Sequence, residues 1–154
     1  MIQWKLAVAG LAALSSLAFV QNTAPSTQDP APAAARAAAD EPSLEQRMKA
    51  MKKAFGKVKE FAAKGEGAAP LAEVDALLQN ALAARNMVPE LAADIAEAER
   101  AKWLAAYKQG MRDTVRSLLE LEQALEAGDK AKIKELAEGL GKQQKEGHKQ
   151  FKKD

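Results

Sequence analysis

The chain has 154 residues, enough for one domain with its own core; 29% are charged and only 5% aromatic. Alanine, leucine, glutamate and lysine dominate and strand-favouring residues are sparse, a composition that favours helices over sheets. A formal net charge of +2 lacks the basic excess of a nucleic-acid binder. With no cysteine, the chain has no disulfides, zinc–thiolate sites, iron–sulfur clusters, thiol nucleophiles or Cys-x-x-Cys-His attachment of haem.

The first residues read as a secretory leader. Lys5 is the only charge before an apolar run from Leu6 to Val20, and Ser16 and Ala18 give the small-residue pattern of a cleavage site near Ala18–Phe19. A cut after Ala24 would be followed directly by Pro25, which disfavours it, and an uncleaved membrane anchor is the competing reading. Residues 1–18 are therefore expected to be a signal peptide. Residues 19–42 are rich in Pro and Ala and poor in large apolar side chains, and read as a disordered linker. A helical bundle is expected over residues 43–154.

Four amphipathic stretches follow. In the first, Ser43 is a candidate N-cap, and Leu44, Met48, Met51, Phe55, Val58 and Ala62 recur at spacings of four and three, an apolar stripe along one helix face. Gly65-Glu66-Gly67 ends it. The second is expected to open at Pro70, to bury Leu71, Val74, Leu77, Leu78, Ala81 and Leu82, and to run to about Met87, before Pro89.

From Glu90 to Ala127 a single rod would be roughly 57 Å long, against about 30 Å for the first helix. Leu91–Ala98 is therefore expected to form a crossover helix or overhang, with the bundle helix starting near Ala101. Its inward side includes Tyr107, Met111, Thr114, Leu118, Leu121 and Leu125, flanked by Trp103 and Val115. Gly128-Asp129 turns the chain into the fourth helix, whose inward half carries Ile133, Leu136, Ala137, Leu140, Gln144, His148 and Phe151. Gly139, Gly141 and Gly147 each weaken this helix by roughly 1 kcal/mol relative to Ala, which close packing or a bound ligand would offset. The fold class is an all-α, antiparallel up-down-up-down four-helix bundle.

The residue inventory leaves little room for catalysis. With one histidine, a nucleophile–base pair must combine Ser or Thr with His148, and Ser43 and Ser117 stand in no such motif. One histidine cannot supply the two Glu-x-x-His motifs of a di-iron bundle. No phosphate-binding glycine loop is present. No enzyme activity is expected.

One donor pair survives this filter. Met48 lies about 7 Å along its helix from Ser43, and His148 about 9 Å from Asp154. In an up-down-up-down bundle the end of the last helix lies beside the start of the first, so thioether and imidazole come to similar depth at one mouth. That is a ligand set for the two axial positions of haem iron, with no position left for substrate. Lys49, Lys142, Lys145, Lys149, Lys152 and Lys153 crowd the same end, where they would offset propionate charge and attract an acidic partner.

Over Leu44 to Phe151 the chain resembles the cytochrome b562 family. LEQRM places a Leu four residues before the position of the family's axial Met, which falls on Met48. GHKQF places His148 at the axial His, with Phe151 as the aromatic three residues later. YKQGM (107–111) resembles the family's aromatic-x-x-Gly-aromatic segment that lines the haem pocket. Met111 stands where an aromatic is usual, Gly147 where a larger residue is usual, and Met51, one turn from Met48, competes as ligand.

The resemblance implies a periplasmic electron carrier that holds haem b, and its iron, non-covalently. Met48 and His148 would be the metal ligands, and Met51, Tyr107, Met111 and Phe151 would complete the cofactor site. A monomer or weak dimer is expected, with an unidentified redox partner, no nucleic acid and no stable membrane insertion after leader removal. A haem-free periplasmic binding or stress-related bundle, with Met48 and Met51 simply as core, is the alternative.

Overall fold

The computed structural model describes residues 41–152. The expected leader, and all of the expected linker but Glu41 and Pro42, lie outside the described residues.

Four helices account for most of the described chain: α1 (Leu44–Lys64), α2 (Leu71–Ala84), α3 (Glu97–Ala127) and α4 (Lys130–Phe151). A single 3-10 segment, Glu90–Asp94, precedes α3. α1 opens with a reciprocal capping box. The Ser43 hydroxyl accepts from the Gln46 N–H at 3.2 Å, and the Gln46 side chain accepts from the Ser43 N–H at 2.8 Å. α1 and α3 both end on glycines in the left-handed region, Gly65 at φ 64° and Gly128 at φ 68°, where a Cβ would be strained. Asp129 caps α4 by accepting from the Lys132 N–H at 3.0 Å.

Two boundaries depart from the expectation. α2 begins at Leu71, with Pro70 just outside it, and ends at Ala84 rather than near Met87. Its last turn tightens: the Asn86 and Met87 N–H groups donate to Ala83 and Ala84 at 3.1 and 3.0 Å, an i→i+3 pattern. α3 begins at Glu97, four residues ahead of Ala101, and Leu91–Asp94 is a 3-10 turn rather than an α-helical crossover. Extended backbone at Ile95 and Ala96 separates the two, and the Arg100 guanidinium ties them together by donating to the carbonyls of Ala92 and Ile95, both at 3.0 Å. Glu97 and Glu99 place negative charge at the helix start, where the macrodipole favours it.

The helices form a ring in chain order, α1 against α2, α2 against α3, α3 against α4, and α4 back against α1. The α1–α2 and α3–α4 seams are the most extensive and the α4–α1 seam is the thinnest. Val58, Val74, Leu118 and Leu121 are the largest fully buried side chains, one each from α1 and α2 and two from α3. Apart from the Tyr107 phenol, the buried side chains among the described residues are apolar, so the core is held mainly by apolar burial. Two expected core residues of α2 are exposed, Leu71 at 37% and Leu82 at 43%, while Ala84 is fully buried in their place. A 14-residue helix packed chiefly on α1 and α3 has too narrow a buried face for all of its leucines.

The α4 glycines are not explained by close packing. A Cβ built at Gly139, Gly141 or Gly147 meets no atom within 4 Å. Gly139→Ala should therefore add helix propensity without a clash and raise unfolding stability by about 1 kcal/mol in urea titration. A loss of stability would show that something approaches this position after all.

Candidate functional site

One end of the bundle holds a cavity of about 850 Å³, within the range of small-molecule and cofactor sites. It lies between α1, α3 and α4, with Leu77 of α2 at its base. Its walls include the six residues expected to hold a cofactor, Met48, Met51, Tyr107, Met111, His148 and Phe151. Of the lysines expected at this end, Lys49 and Lys152 line it, Lys142 and Lys145 line a second recess, Lys149 lines neither, and Lys153 lies outside the described residues.

The two ends of the fold meet here. Lys49 donates to Glu45 at 2.7 Å and holds its carboxyl below the usual carboxylate range, first through that hydrogen bond and then through its charge; the charge of Lys152 adds to the effect. The start of α1 therefore lies beside the end of α4, as an up-down-up-down bundle requires. Met48 and Met51 sit half-buried, one turn apart on α1, and Met111 of α3 is buried. His148 lines the same cavity but is solvent-exposed, so its imidazole belongs to the rim rather than the interior.

The α3 wall is set by aromatic packing. The Phe151 ring meets Trp103 edge-on at 5.1 Å and Tyr107 edge-on at 5.5 Å between centroids. Its edge also lies 4.0 Å from where a Gly110 Cβ would stand, an ordinary contact distance, so the ring packs over this part of α3 without needing the glycine. These contacts join α3 to the last turn of α4 and set the position of the turn that carries His148. Trp103, which flanks the inward stripe of α3, is a second support for Phe151. The nearest signal was its position one turn before Tyr107.

Tyr107 is 3% exposed, and its hydroxyl donates to the Ala84 carbonyl at 2.8 Å, across to the end of α2. Burial pushes its pKa from 10.0 up to about 12. Thr114, expected inward, is half-buried and turns its hydroxyl back to the Gly110 carbonyl at 3.0 Å, a bond within its own helix.

The donor chemistry is narrow. No cluster of His, Cys, Asp or Glu able to hold a metal ion exists among the described residues. What the cavity offers instead is three thioethers, one imidazole and apolar walls that include Leu44, Phe55, Leu118 and Leu140, with Lys49, Lys52 and Lys152 and the carboxylates Glu45, Glu90, Asp113 and Glu146 also in its lining. This set fits haem, whose ring needs an apolar slot, whose iron accepts thioether and imidazole donors, and whose carboxylates need cations near water. It does not suit a hydrated divalent cation, which needs several oxygen ligands together, because the carboxylates of its lining do not come together as a metal-holding group.

Comparison with known proteins agrees on the family. A family model described as Cytochrome b562 matches residues 43–152. No curated protein and no solved structure matches.

Tyr107→Phe should remove the only hydrogen bond shown for the buried phenol and cost about 1–3 kcal/mol of stability. The unfolded chain releases the Tyr107 proton near its ordinary value of 10.0 and the folded chain near 12, so this residue's contribution is complete below pH 10 and is lost as pH rises towards 12. Urea titrations at pH 8 and pH 11 should therefore show the wild-type advantage over Tyr107→Phe shrinking at the higher pH. An advantage that grows would contradict this assignment.

Proposed function

This chain belongs to the cytochrome b562 family, whose members are haem-binding, electron-carrying four-helix bundles, and from that premise we propose that it carries single electrons in the periplasm on a haem b gripped by Met48 and His148. The observation that carries the reading is the presence of both donors, from the first and last helices, in the walls of one cavity whose interior is apolar.

Bound haem would supply a one-electron iron couple; the chain supplies the surroundings. The Met48 thioether and the His148 imidazole would be its two protein donors. With both donors engaged, the iron would have no open position for substrate, which supports a carrier rather than a catalyst. Leu44, Met51, Phe55, Met111 and Leu140 line the interior and would exclude water around a bound ring. Lys49, Lys52 and Lys152 stand where they can hold carboxylates at the rim. His148 fits its role because the Phe151 ring, less than one turn further on, is clamped by Trp103 and Tyr107. Non-covalent attachment follows from the absence of cysteine.

The basic-then-apolar leader over residues 1–18 supports export, and among the described residues no helix is long and apolar enough to cross a membrane.

Haem titration of the purified chain tests the reading. We expect one haem per chain, sharp low-spin absorption bands, and a melting temperature raised by ligand linkage, worth about 2.7 kcal/mol at a hundredfold excess over Kd. Met48→Ala and His148→Ala should each broaden the spectrum to that of an incompletely ligated iron, while Met51→Leu should leave it low-spin. A chain that stays colourless with excess haem would refute the proposal and leave a haem-free bundle. Loss of the low-spin bands with Met51→Leu but not Met48→Ala would move the sulfur ligand by one turn.

A further inference from the structure

The charge of this domain is unevenly distributed over its helices. α1 and α4 together carry thirteen lysines and arginines against five carboxylates, whereas α2 and α3 carry five against eight. Because α1 and α4 are neighbours, the bundle has one strongly basic side. The modest net charge of the chain conceals this division.

The basic side is not flat. Along the α1–α4 seam runs a groove of about 430 Å³, lined by Lys59 of α1 and by Lys134, Lys142 and Lys145 of α4. Glu138 is the only carboxylate in its walls, and its floor is made of alanines and Gly141. None of the four lysines forms an ion pair with a described residue, although lysines elsewhere on these helices do, such as Lys57 with Glu73 at 2.6 Å and Lys64 with Glu60 at 2.6 Å. Gly141 makes no close contact, so its missing side chain helps keep the groove open rather than admitting a neighbouring helix.

The groove adjoins the cofactor cavity. Gln144 lines both. The Lys59 ammonium lies 5.1 Å from the centre of the Phe55 ring, which is itself a wall of the cavity. Lys145 is about 4.5 Å along the helix from His148. A body held at the groove therefore sits beside the place where an electron would leave or enter.

We propose that the α1–α4 face, centred on this groove, docks a carboxylate-rich surface of a partner protein. Four unpaired ammonium groups around a small-residue floor favour acidic side chains that project into a shallow trough, and a one-sided field steers such a partner into register with the cavity mouth. That the partner exchanges electrons rests on the haem reading above; that it is acidic does not.

The test uses the 154-residue chain, with and without haem, and a deca-glutamate peptide as probe, at low ionic strength of about 20 mM where screening is weak. We expect saturable binding by calorimetry, weakened about tenfold by Lys59→Glu with Lys134→Glu. Gly141→Leu should weaken it too, by filling the groove without changing charge. Lys102→Glu with Lys108→Glu, the same charge change on α3, should alter it by less than about twofold.

Absence of peptide binding, or equal weakening by both charge pairs, overturns the proposal. So does retention on phosphatidylglycerol vesicles that depends on Lys59 and Lys134 while the peptide fails to bind, which would make this a membrane-facing surface. Self-association abolished by the α1–α4 pair, again without peptide binding, would make it a contact between copies. A colourless chain that still binds the peptide through the groove would sink the haem reading and leave this one standing.

Discussion

A ring of four helices has four seams, and in this molecule one of them is thin. α1 packs fully on α2, and α3 on α4, but α4 closes only loosely back onto α1. Both recesses lie along this opening: the large cavity at one end, between α1, α3 and α4, and the lysine-lined groove beside it. Had the seam closed as tightly as the others, Met48 and His148 would lie in or beside a continuous core. The fold's stability therefore rests on the other three seams, where Val58, Val74, Leu118 and Leu121 are buried.

An opening between helices is useful only if its walls hold their positions. Phe151 provides this at the end of the chain, where helices otherwise fray. Its contacts with Trp103 and Tyr107 fasten the last turn of α4 to α3, and the Tyr107 hydroxyl in turn fastens α3 to the end of α2. On the facing side, the capping box at Ser43 fixes the first turn of α1, and Met48 lies just inside it. The two donors thus stand near helix ends that are each separately secured. His148 remains exposed because it sits at the mouth of the cavity.

Much of this was legible in the chain because long helices carry clear periodicity. The stripe from Leu44 to Ala62, its cap at Ser43 and its stop at Gly65 follow from spacing and turn chemistry, and the pairing of the first helix with the last follows from up-down topology. α2 was harder. Adjacent leucines at 77 and 78, with others at 71 and 82, point to more than one side of a short helix, and only its neighbours decide that Leu71 and Leu82 face water. The start of α3 was obscured because no strong cap residue marks it; what holds it is an arginine that donates back to two carbonyls of the preceding turn and leaves the helix N–H groups uncapped by any side chain. The α4 glycines suggested close approach, and the structure shows open space there, with Gly141 and Gly147 bordering recesses. The division of charge between helix pairs was present in the residues but acquired meaning only once α1 and α4 were neighbours.

The central claim is that the two terminal helices grip one iron, with sulfur from one side and imidazole from the other. X-ray absorption at the iron edge of the haem-loaded chain tests this most directly, because sulfur and nitrogen neighbours scatter differently. The account predicts one sulfur among the nearest neighbours of iron, lost in Met48→Ala and retained in Met51→Leu. A shell of nitrogen and oxygen alone in the wild-type chain would contradict it.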